Sequence, residues 1–486
     1  MKKITALILL LGMLAGTVAL SSCVSGKGPS VGTKPQLTPA DDDRDLSRFS
    51  SIDLDGMTVN ILSRAYPRHE NELTVDADSE PKDFILASVY QRQIRTEAAL
   101  KVKIVNTRVE PDNEHGGQNV IPSIVASMDP AFDIYASSFY ATSTLATQGT
   151  FKNLFDVPTI DLDREYWSDY FNGKAQIGNR LYLTTGDLAT SALRFLFVTF
   201  FNKELVDEYK IKDPYEMVDD GTWTYNTMYE IVKDIYVDLN SDQTVDEADF
   251  YGLGLNNYLG VDAYTSAFNM PTISINKDGD AEIVVNVNKY ADVVNKLYTL
   301  FWQTQGVLNR QDPDGIADVF AQNRLIFAQS WLYNCEKIVM RDMENDYGII
   351  PYPKYNENQK NYYSFGHDQI TVVCIPKSSQ KAEEAGYVLE VMGALSRSTT
   401  IDQYYENALK GRYARDEKSH DMLDMIRKNF LLDTGWIYCE STELMSRMLR
   451  TMIEGKSKNF MSFYQTYSGS FEDSVDRLNE TFALLD

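Results

Sequence analysis

The stretch that decides the fold begins with Met57-Thr58-Val59-Asn60-Ile61 and ends with Phe132-Asp133-Ile134-Tyr135. Apolar side chains at alternate positions of the first segment predict a half-buried strand. Pro81 and Asp83 then open a segment with apolar residues at four-residue spacing, which predicts a helix. The other predicted elements of this stretch are strand 102–105, helix 118–128 and strand 132–135. Strands that alternate with helices at these lengths predict an α/β fold with a parallel sheet.

The first 50 residues have the pattern of an export signal followed by a tether. Lys2 and Lys3 precede a short apolar run, and Leu20-Ser21-Ser22-Cys23 closes it. This ending resembles the bacterial lipobox, which implies a signal peptide over 1–22 and a lipid on the Cys23 thiol. A generic signal peptide with an incidental cysteine is the alternative. Residues 23–50, rich in Gly, Pro and Asp, then predict a flexible tether.

The composition fits an acidic globular body with a sizeable core. The chain has 486 residues with 43% hydrophobic residues, a length that exceeds a typical single core and predicts two lobes. Its net charge of −24 argues against nucleic acid or an anionic membrane surface as a partner. No apolar run after the signal peptide is long enough to span a bilayer, so we expect the lipid to be the only anchor.

Three cysteines follow Cys23, and no two of them form a Cys-x-x-Cys motif. The odd number leaves at least one thiol unpaired. Cys374 stands in an apolar run and is predicted to be a buried thiol. A disulfide between Cys335 and Cys439 is neither indicated nor excluded by the sequence.

Several segments, in this order, resemble the extracellular solute-binding proteins of ABC importers, particularly those that handle sugars. After the first βαβ unit and Phe132-Asp133-Ile134-Tyr135, they are Gly178-Asn179-Arg180-Leu181-Tyr182-Leu183, Phe201-Asn202-Lys203-Glu204-Leu205, Thr222-Trp223, the stretch 320–331 ending in a Trp, and Tyr347-Gly348-Ile349-Ile350-Pro351-Tyr352-Pro353. Ser330 stands where the family has a glycine before that Trp.

The resemblance implies two α/β lobes around a cleft, joined by crossings that act as a hinge. One lobe would comprise 51–187 and 372–432, and the other 190–368 and 435–486. The protein would be a monomer that presents a solute, a carbohydrate in the sugar-handling group of this family, to the permease subunits and the ATPase of an importer. No cofactor is expected apart from a possible Ca²⁺ ion.

Seven residues are candidate ligand contacts, because sugars bind to aromatic faces and planar polar groups. They are Phe139, Tyr140, Asp187, Trp331, Tyr333, His367 and Trp436. Phe139 and Tyr140 directly follow the third strand, at the edge where ligands bind in open α/β sheets. Core packing is an equal alternative for the two Trp residues, a helix cap is the alternative for Asp187, and a plain loop position is the alternative for His367.

The acidic segment 238–249 has the oxygen spacing of an EF-hand calcium loop. The predicted ligands are Asp238, Asn240, Asp242, Thr244, Asp246 and Asp249. Gln243 stands where such loops have glycine, and Asp249 replaces the longer bidentate Glu. A solvated acidic loop is therefore an alternative to a structural Ca²⁺ site.

The sequence shows no enzyme signature: it lacks His-Glu-x-x-His, Gly-x-Ser-x-Gly and Gly-x-x-x-x-Gly-Lys motifs. The predicted function is therefore non-catalytic solute capture. A surface glycoside hydrolase, which needs only a pair of carboxylates, and a polysaccharide-adhesion lipoprotein are the two alternatives.

Overall fold

The computed structural model describes residues 46–109 and 115–485, so the predicted signal peptide, Cys23 and most of the tether lie outside the described residues. The strands are β1 (Thr58–Arg64), β2 (Lys103–Val109), β3 (Ile134–Ser138), β4 (Phe197–Asn202), β5 (Tyr236–Val237), β6 (Phe250–Asn256), β7 (Ile273–Ile275), β8 (Ala281–Ile283), β9 (Val307–Arg310), β10 (Leu325–Trp331), β11 (Tyr347–Ile350) and β12 (Thr371–Cys374).

The α-helices cover both sheets and the C-terminal region. They are α1 (Phe84–Leu100), α2 (Ile121–Ala126), α3 (Phe139–Thr147), α4 (Asp169–Ala175), α5 (Ser191–Arg194), α6 (Lys203–Glu208), α7 (Pro214–Asp219), α8 (Tyr225–Val232), α9 (Leu259–Ala267), α10 (Val287–Gln303), α11 (Pro313–Ala321), α12 (Ile338–Arg341), α13 (Ala382–Ser398), α14 (Thr400–Asp402), α15 (Glu417–Lys428), α16 (Thr434–Ile437), α17 (Met448–Glu454) and α18 (Phe460–Leu484). A π-helix spans Gln403–Tyr413.

The first lobe is built on a four-stranded sheet with the order β12-β3-β1-β2. β1 pairs in parallel with both β2 and β3, as the alternation of strands and helices predicts. The Asp83 carboxylate accepts hydrogen bonds from the amides of Ile85 and Leu86 and so caps α1, where the sequence predicts a helix start. The predicted α/β class of this half is confirmed.

The second lobe is built on a mixed sheet with the order β11-β4-β10-β6-β5, and β9 pairs with β6. β6 pairs in parallel with both β10 and β9. β4 pairs antiparallel with β10, and β5 pairs antiparallel with β6. Thr224 caps α8, because its side chain accepts from the amide of Thr227. Residues 181–183 are fully buried but form no named strand.

Three chain segments cross between the lobes. Residues 184–196 lead from the first lobe into β4, and residues 366–370 return from the second lobe to β12. These two crossings pair with each other at Leu196 and Gly366, and the third, near Phe430, pairs with Ser364. The larger of two clusters of buried apolar residues continues from β1 through these crossings into the second sheet. The structure thus has two lobes with crossings between them.

The lobe boundaries near the C-terminus depend on one helix. α15 lies within the range 372–432 that the sequence analysis assigns to the first lobe. It packs against β11 of the second sheet, and the Ser419 hydroxyl accepts a hydrogen bond from the amide of Ile349.

The three described cysteines, Cys335, Cys374 and Cys439, are buried and unpaired. Burial raises the pKa of Cys335 and of Cys439 to about 12, so both stay protonated thiols at neutral pH. Among the described helices, none combines the length and apolar character needed to cross a bilayer.

Candidate functional site

The candidate site lies between the lobes, at the carboxyl ends of their strands. Arg68 follows β1 and Tyr140 follows β3 in the first lobe. Trp331 is the last residue of β10 and Tyr258 follows β6 in the second lobe. Ligands of open α/β sheets bind beyond such strand ends. We call this region the cleft.

The first polar cluster of the cleft joins the lobes through Arg68. Its guanidinium forms an ion pair with Asp314, at the start of α11. The same group lies 5.2 Å from the ring centre of Trp331 and 4.8 Å from that of Tyr333. The Trp331 indole N–H donates to Asp314 Oδ1 at 3.1 Å. Arg68 therefore covers the aromatic faces that the sequence analysis proposes for a ligand.

A second cluster is centred on Asp368 in the second crossing. Arg447 Nη2 donates to Asp368 Oδ2 at 3.1 Å, and its guanidinium lies 4.9 Å from the ring centre of Tyr140. Burial opposes ionisation of Asp368, but the neighbouring His367 and Arg447 outweigh it and lower its pKa to about 2. The Tyr140 hydroxyl donates to Glu440. The carboxylate of Asp368 is thus ionised at neutral pH.

This second cluster leaves two buried polar atoms without a hydrogen bond among the described residues. They are Nε2 of His367 and Nε of Arg447. His367 Nδ1 lies 2.9 Å from Asp368 Oδ1, so this nitrogen is engaged by the carboxylate. Buried polar groups normally have partners. The two unpartnered nitrogens, His367 Nε2 and Arg447 Nε, are therefore available to a ligand.

The third cluster pairs Arg450 with Asp262. Arg450 Nε donates to Asp262 Oδ1 at 3.1 Å, and both side chains are buried. The guanidinium lies 4.0 Å from the ring centre of Tyr258, which is exposed. Arg447 and Arg450 are three residues apart, so they lie on one side of the turn that starts α17.

The three clusters repeat one arrangement, in which an Arg–Asp pair lies over at least one aromatic ring. Side chains come from the first lobe, the second lobe and the second crossing. Each of the three guanidinium groups faces one aspartate, and Glu440 adds a fourth carboxylate, so most of the charge of these residues is compensated by pairing. Planar polar groups beside aromatic faces suit a neutral ligand with many hydroxyl groups.

The structure brings five of the seven candidate residues together. Trp331 and His367 rings contact each other with centres 5.5 Å apart, and Phe195 joins Trp331 to Tyr333. Tyr140 lies under the guanidinium of Arg447, which pairs with Asp368, and Asp368 in turn contacts His367. Trp436 reaches the same cluster through Phe365, at 4.8 Å, but is buried and donates to Thr265.

The other two candidates lie away from the cleft. Phe139 is fully buried and packs on Phe171 in the first lobe, because as the first residue of α3 it points into the core. Asp187 lies beside Arg427, in a separate cavity described below. It does not cap a helix, since no side chain caps α5.

Sequence reasoning missed the charged residues of the cleft. They are Arg68, Asp262, Asp314, Asp368, Arg447 and Arg450. No local motif marks them, because each Arg and its Asp are between 79 and 246 residues apart. The only available signal was the position of Asp368 next to His367.

The predicted calcium loop is a turn held by its own carboxylates. Asp238 accepts from the amides of Ser241 and Gln243, and Asp242 accepts from that of Thr244. The backbone at Gln243 has φ of 64°, the left-handed conformation for which such loops use glycine. Within 46–109 and 115–485, no group of three or more His, Cys, Asp or Glu side chains is arranged as a metal site.

No family model and no curated protein matches the chain. Solved structures do match in fold. An ABC substrate-binding protein from Listeria monocytogenes in complex with cycloalternan is 12% identical, with a TM-score of 0.55 over 88% of this chain and 100% of that one. The GacH receptor of Streptomyces glaucescens, solved with acarbose, is 10% identical, with a TM-score of 0.51 over 88% and 97%.

A sugar transporter from Rhizobium etli in an open conformation is also similar, at 11% identity and a TM-score of 0.52 over 88% of this chain and 100% of that one. These proteins have the two-lobed fold of periplasmic binding proteins. The likeness shows that this chain has the same fold.

Proposed function

We propose that the protein is the solute-binding component of an ABC importer and captures a sugar or oligosaccharide in the cleft. The observation that carries the proposal is the threefold repeat of an Arg–Asp pair over an aromatic ring, contributed by both lobes. Proteins of the same fold bind cycloalternan, acarbose and maltotetraose. Because the three cleft arginines are already paired with aspartates, the cleft fits a carbohydrate better than an anionic solute.

Binding follows from the present contacts. A pyranose that stacks on the half-buried Tyr333 displaces the guanidinium of Arg68, which stays close enough to donate to a sugar hydroxyl. The free atoms of His367 and Arg447 complete the polar contacts. Because both lobes contribute, the ligand binds the closed form more tightly than the open form, and this difference drives closure.

Lipidation at Cys23 would hold the body outside the cytoplasmic membrane, with residues 23–50 as its tether. The partners would be two permease subunits and an ATPase, and the body would act as a monomer. Metabolic labelling with a palmitate analogue, compared between the wild type and Cys23→Ala, tests the anchor. Labelling that persists in the variant would contradict it.

A structural Ca²⁺ ion in the loop 238–249 is a separate part of the proposal. Its support is the set of carboxylate and amide oxygens and the left-handed backbone at Gln243. The ion would stiffen the second lobe next to β6 and take no part in solute capture.

The decisive experiment is titration calorimetry of the body, residues 46–486, with maltotetraose, cycloalternan, acarbose, a tripeptide and spermidine. Binding of at least one saccharide supports the proposal. Binding of only the peptide or the polyamine would overturn the sugar assignment. Release of reducing sugar from maltotetraose would instead indicate a hydrolase.

A further inference from the structure

A second cavity lies behind the crossings, on the opposite side from the cleft. It has a volume of about 210 Å³. Its walls come from the loop 165–168, the first crossing (185–196), Ile370 at the end of the second crossing, and Phe430 in the third. The loop packs so closely that a Cβ at Gly186 would lie 2.0 Å from the carbonyl oxygen of Tyr166.

Alternation along the first crossing separates this cavity from the cleft. The rings of Phe195 and Phe197 pack against Trp331, on the cleft side. Leu196, between them, lines the cavity. Because neighbouring side chains of extended chain point to opposite faces, Leu196 and Phe197 place the two sites on opposite faces of the crossing.

Most of the cavity wall is apolar, and its polar lining residues are Glu165, Ser168, Thr185, Asp187 and Arg427. The apolar lining includes Phe171, Ala189, Leu193, Leu196, Ile370 and Phe430. The Asp187 side chain is 18% exposed and accepts no hydrogen bond from the described part of the chain. Its ion pair with Arg427 Nη2 is long, at 3.9 Å. A mostly buried carboxylate without a close partner is costly, and a cationic ligand would relieve that cost.

The charges around Asp187 leave this carboxylate incompletely compensated. Burial raises the pKa of Asp187 to about 6, Asp402 adds to the rise, and Arg427 and Arg397 oppose it. Arg397 forms an ion pair with Glu165, so that its charge is shared. A polar recess formed partly by these residues adjoins the cavity and leads to Asp187.

We propose that this cavity is a second small-molecule site, distinct from the cleft, that takes an amine with a compact apolar body. The ammonium group would donate to the Asp187 carboxylate, and the body would fill the apolar part. The size fits one ring, since an apolar protein cavity of about 150 Å³ binds benzene. A neutral ligand of the same shape would leave the carboxylate unpaired.

Titration calorimetry with benzylamine at pH 7.5 tests the proposal, with benzyl alcohol as the neutral control. Asp187→Asn keeps the shape and removes the charge. We expect it to weaken benzylamine binding about 10-fold or more, the value of a charge-assisted hydrogen bond, and to leave benzyl alcohol unchanged. Ala192→Phe, which fills the cavity, should abolish binding of both.

Lowering the pH to 5 should weaken benzylamine binding to the wild type, because Asp187 becomes protonated while the amine stays charged. The proposal is overturned if millimolar benzylamine does not bind the wild type, or if Asp187→Asn binds it equally well. The site is independent of sugar capture. Tyr333→Ala changes a residue of the cleft and should leave benzylamine binding unchanged. If this variant lost benzylamine binding, the amine would bind in the cleft instead.

Discussion

Asp187 provides a sharp test of the structure, because replacing it should stabilise the protein. Its pKa rises from 3.8 to about 6 in the folded state, chiefly through burial. A carboxyl group with a raised pKa favours folding only while it is protonated. The ionised form therefore costs stability as the pH increases through this range.

The size of the effect follows from the two pKa values. At pH 7.5, the rise corresponds to about 3 kcal/mol of lost unfolding free energy, at 1.36 kcal/mol for each pKa unit. At pH 4.5 the calculated loss of unfolding free energy is about 1 kcal/mol, and it vanishes below about pH 3. Asp187→Asn should therefore be more stable than the wild type by up to about 3 kcal/mol at pH 7.5.

Urea denaturation of residues 46–486, followed by tryptophan fluorescence at several pH values between 4.5 and 8, measures this difference. Asp163→Asn makes the same chemical change at an exposed position of the same lobe and is the control. An increase in the unfolding free energy of Asp187→Asn that does not depend on pH, or no increase at pH 7.5, would show that the cost of burying this carboxylate is compensated by other contacts.

The remaining predictions concern the cleft and the acidic loop. Tyr333→Ala should weaken binding of the saccharide found by calorimetry about 5- to 10-fold through loss of ring contact; unchanged affinity would exclude this ring from the site. Arg68→Ala removes the ion pair with Asp314 that joins the lobes, so small-angle scattering should show a larger radius of gyration without ligand. An unchanged radius would contradict the conclusion that this ion pair holds the lobes together. The pKa of Asp368 is lowered to about 2, so Asp368→Asn should lose about 2 kcal/mol of unfolding free energy at pH 7. This difference should disappear as the pH falls toward 2. Equal stability of the two proteins at pH 7 would contradict the pairing of Asp368 with His367 and Arg447. Ca²⁺ should raise the melting temperature of the wild type but not of Asp238→Asn, and no rise in either would leave the loop as a solvated turn.

The backbone framework was predictable because its signals are local. Alternation in 57–61, the Pro81 and Asp83 helix start and the apolar segment 132–135 each act within a few residues, and together they predict a parallel sheet, which the structure forms in the order β2-β1-β3. The position of Tyr140 at the edge of this sheet followed from the rule that ligands bind beyond strand carboxyl ends.

The polar half of the cleft was not predictable, because it depends on pairs that only the tertiary fold brings together. Arg450 and Asp262 are 188 residues apart, and nothing near either residue indicates its partner. For Trp436 the sequence does give a signal, but that signal is ambiguous. A Trp at a crossing has the same local pattern whether it faces a ligand or packs on Phe365, and only the packing decides.

The pairing of the cleft arginines restricts the kind of ligand that can bind. An unpaired guanidinium would attract an anion strongly, but Arg68, Arg447 and Arg450 each already have a carboxylate. An anionic ligand must therefore compete with an aspartate that would be left buried and without a partner, at a cost of several kcal/mol. Hydroxyl groups can accept from the guanidinium and donate to the carboxylate of the same pair without separating them. The geometry consequently favours a neutral polyol over a charged solute, and a uronate should bind more weakly than the matching neutral sugar.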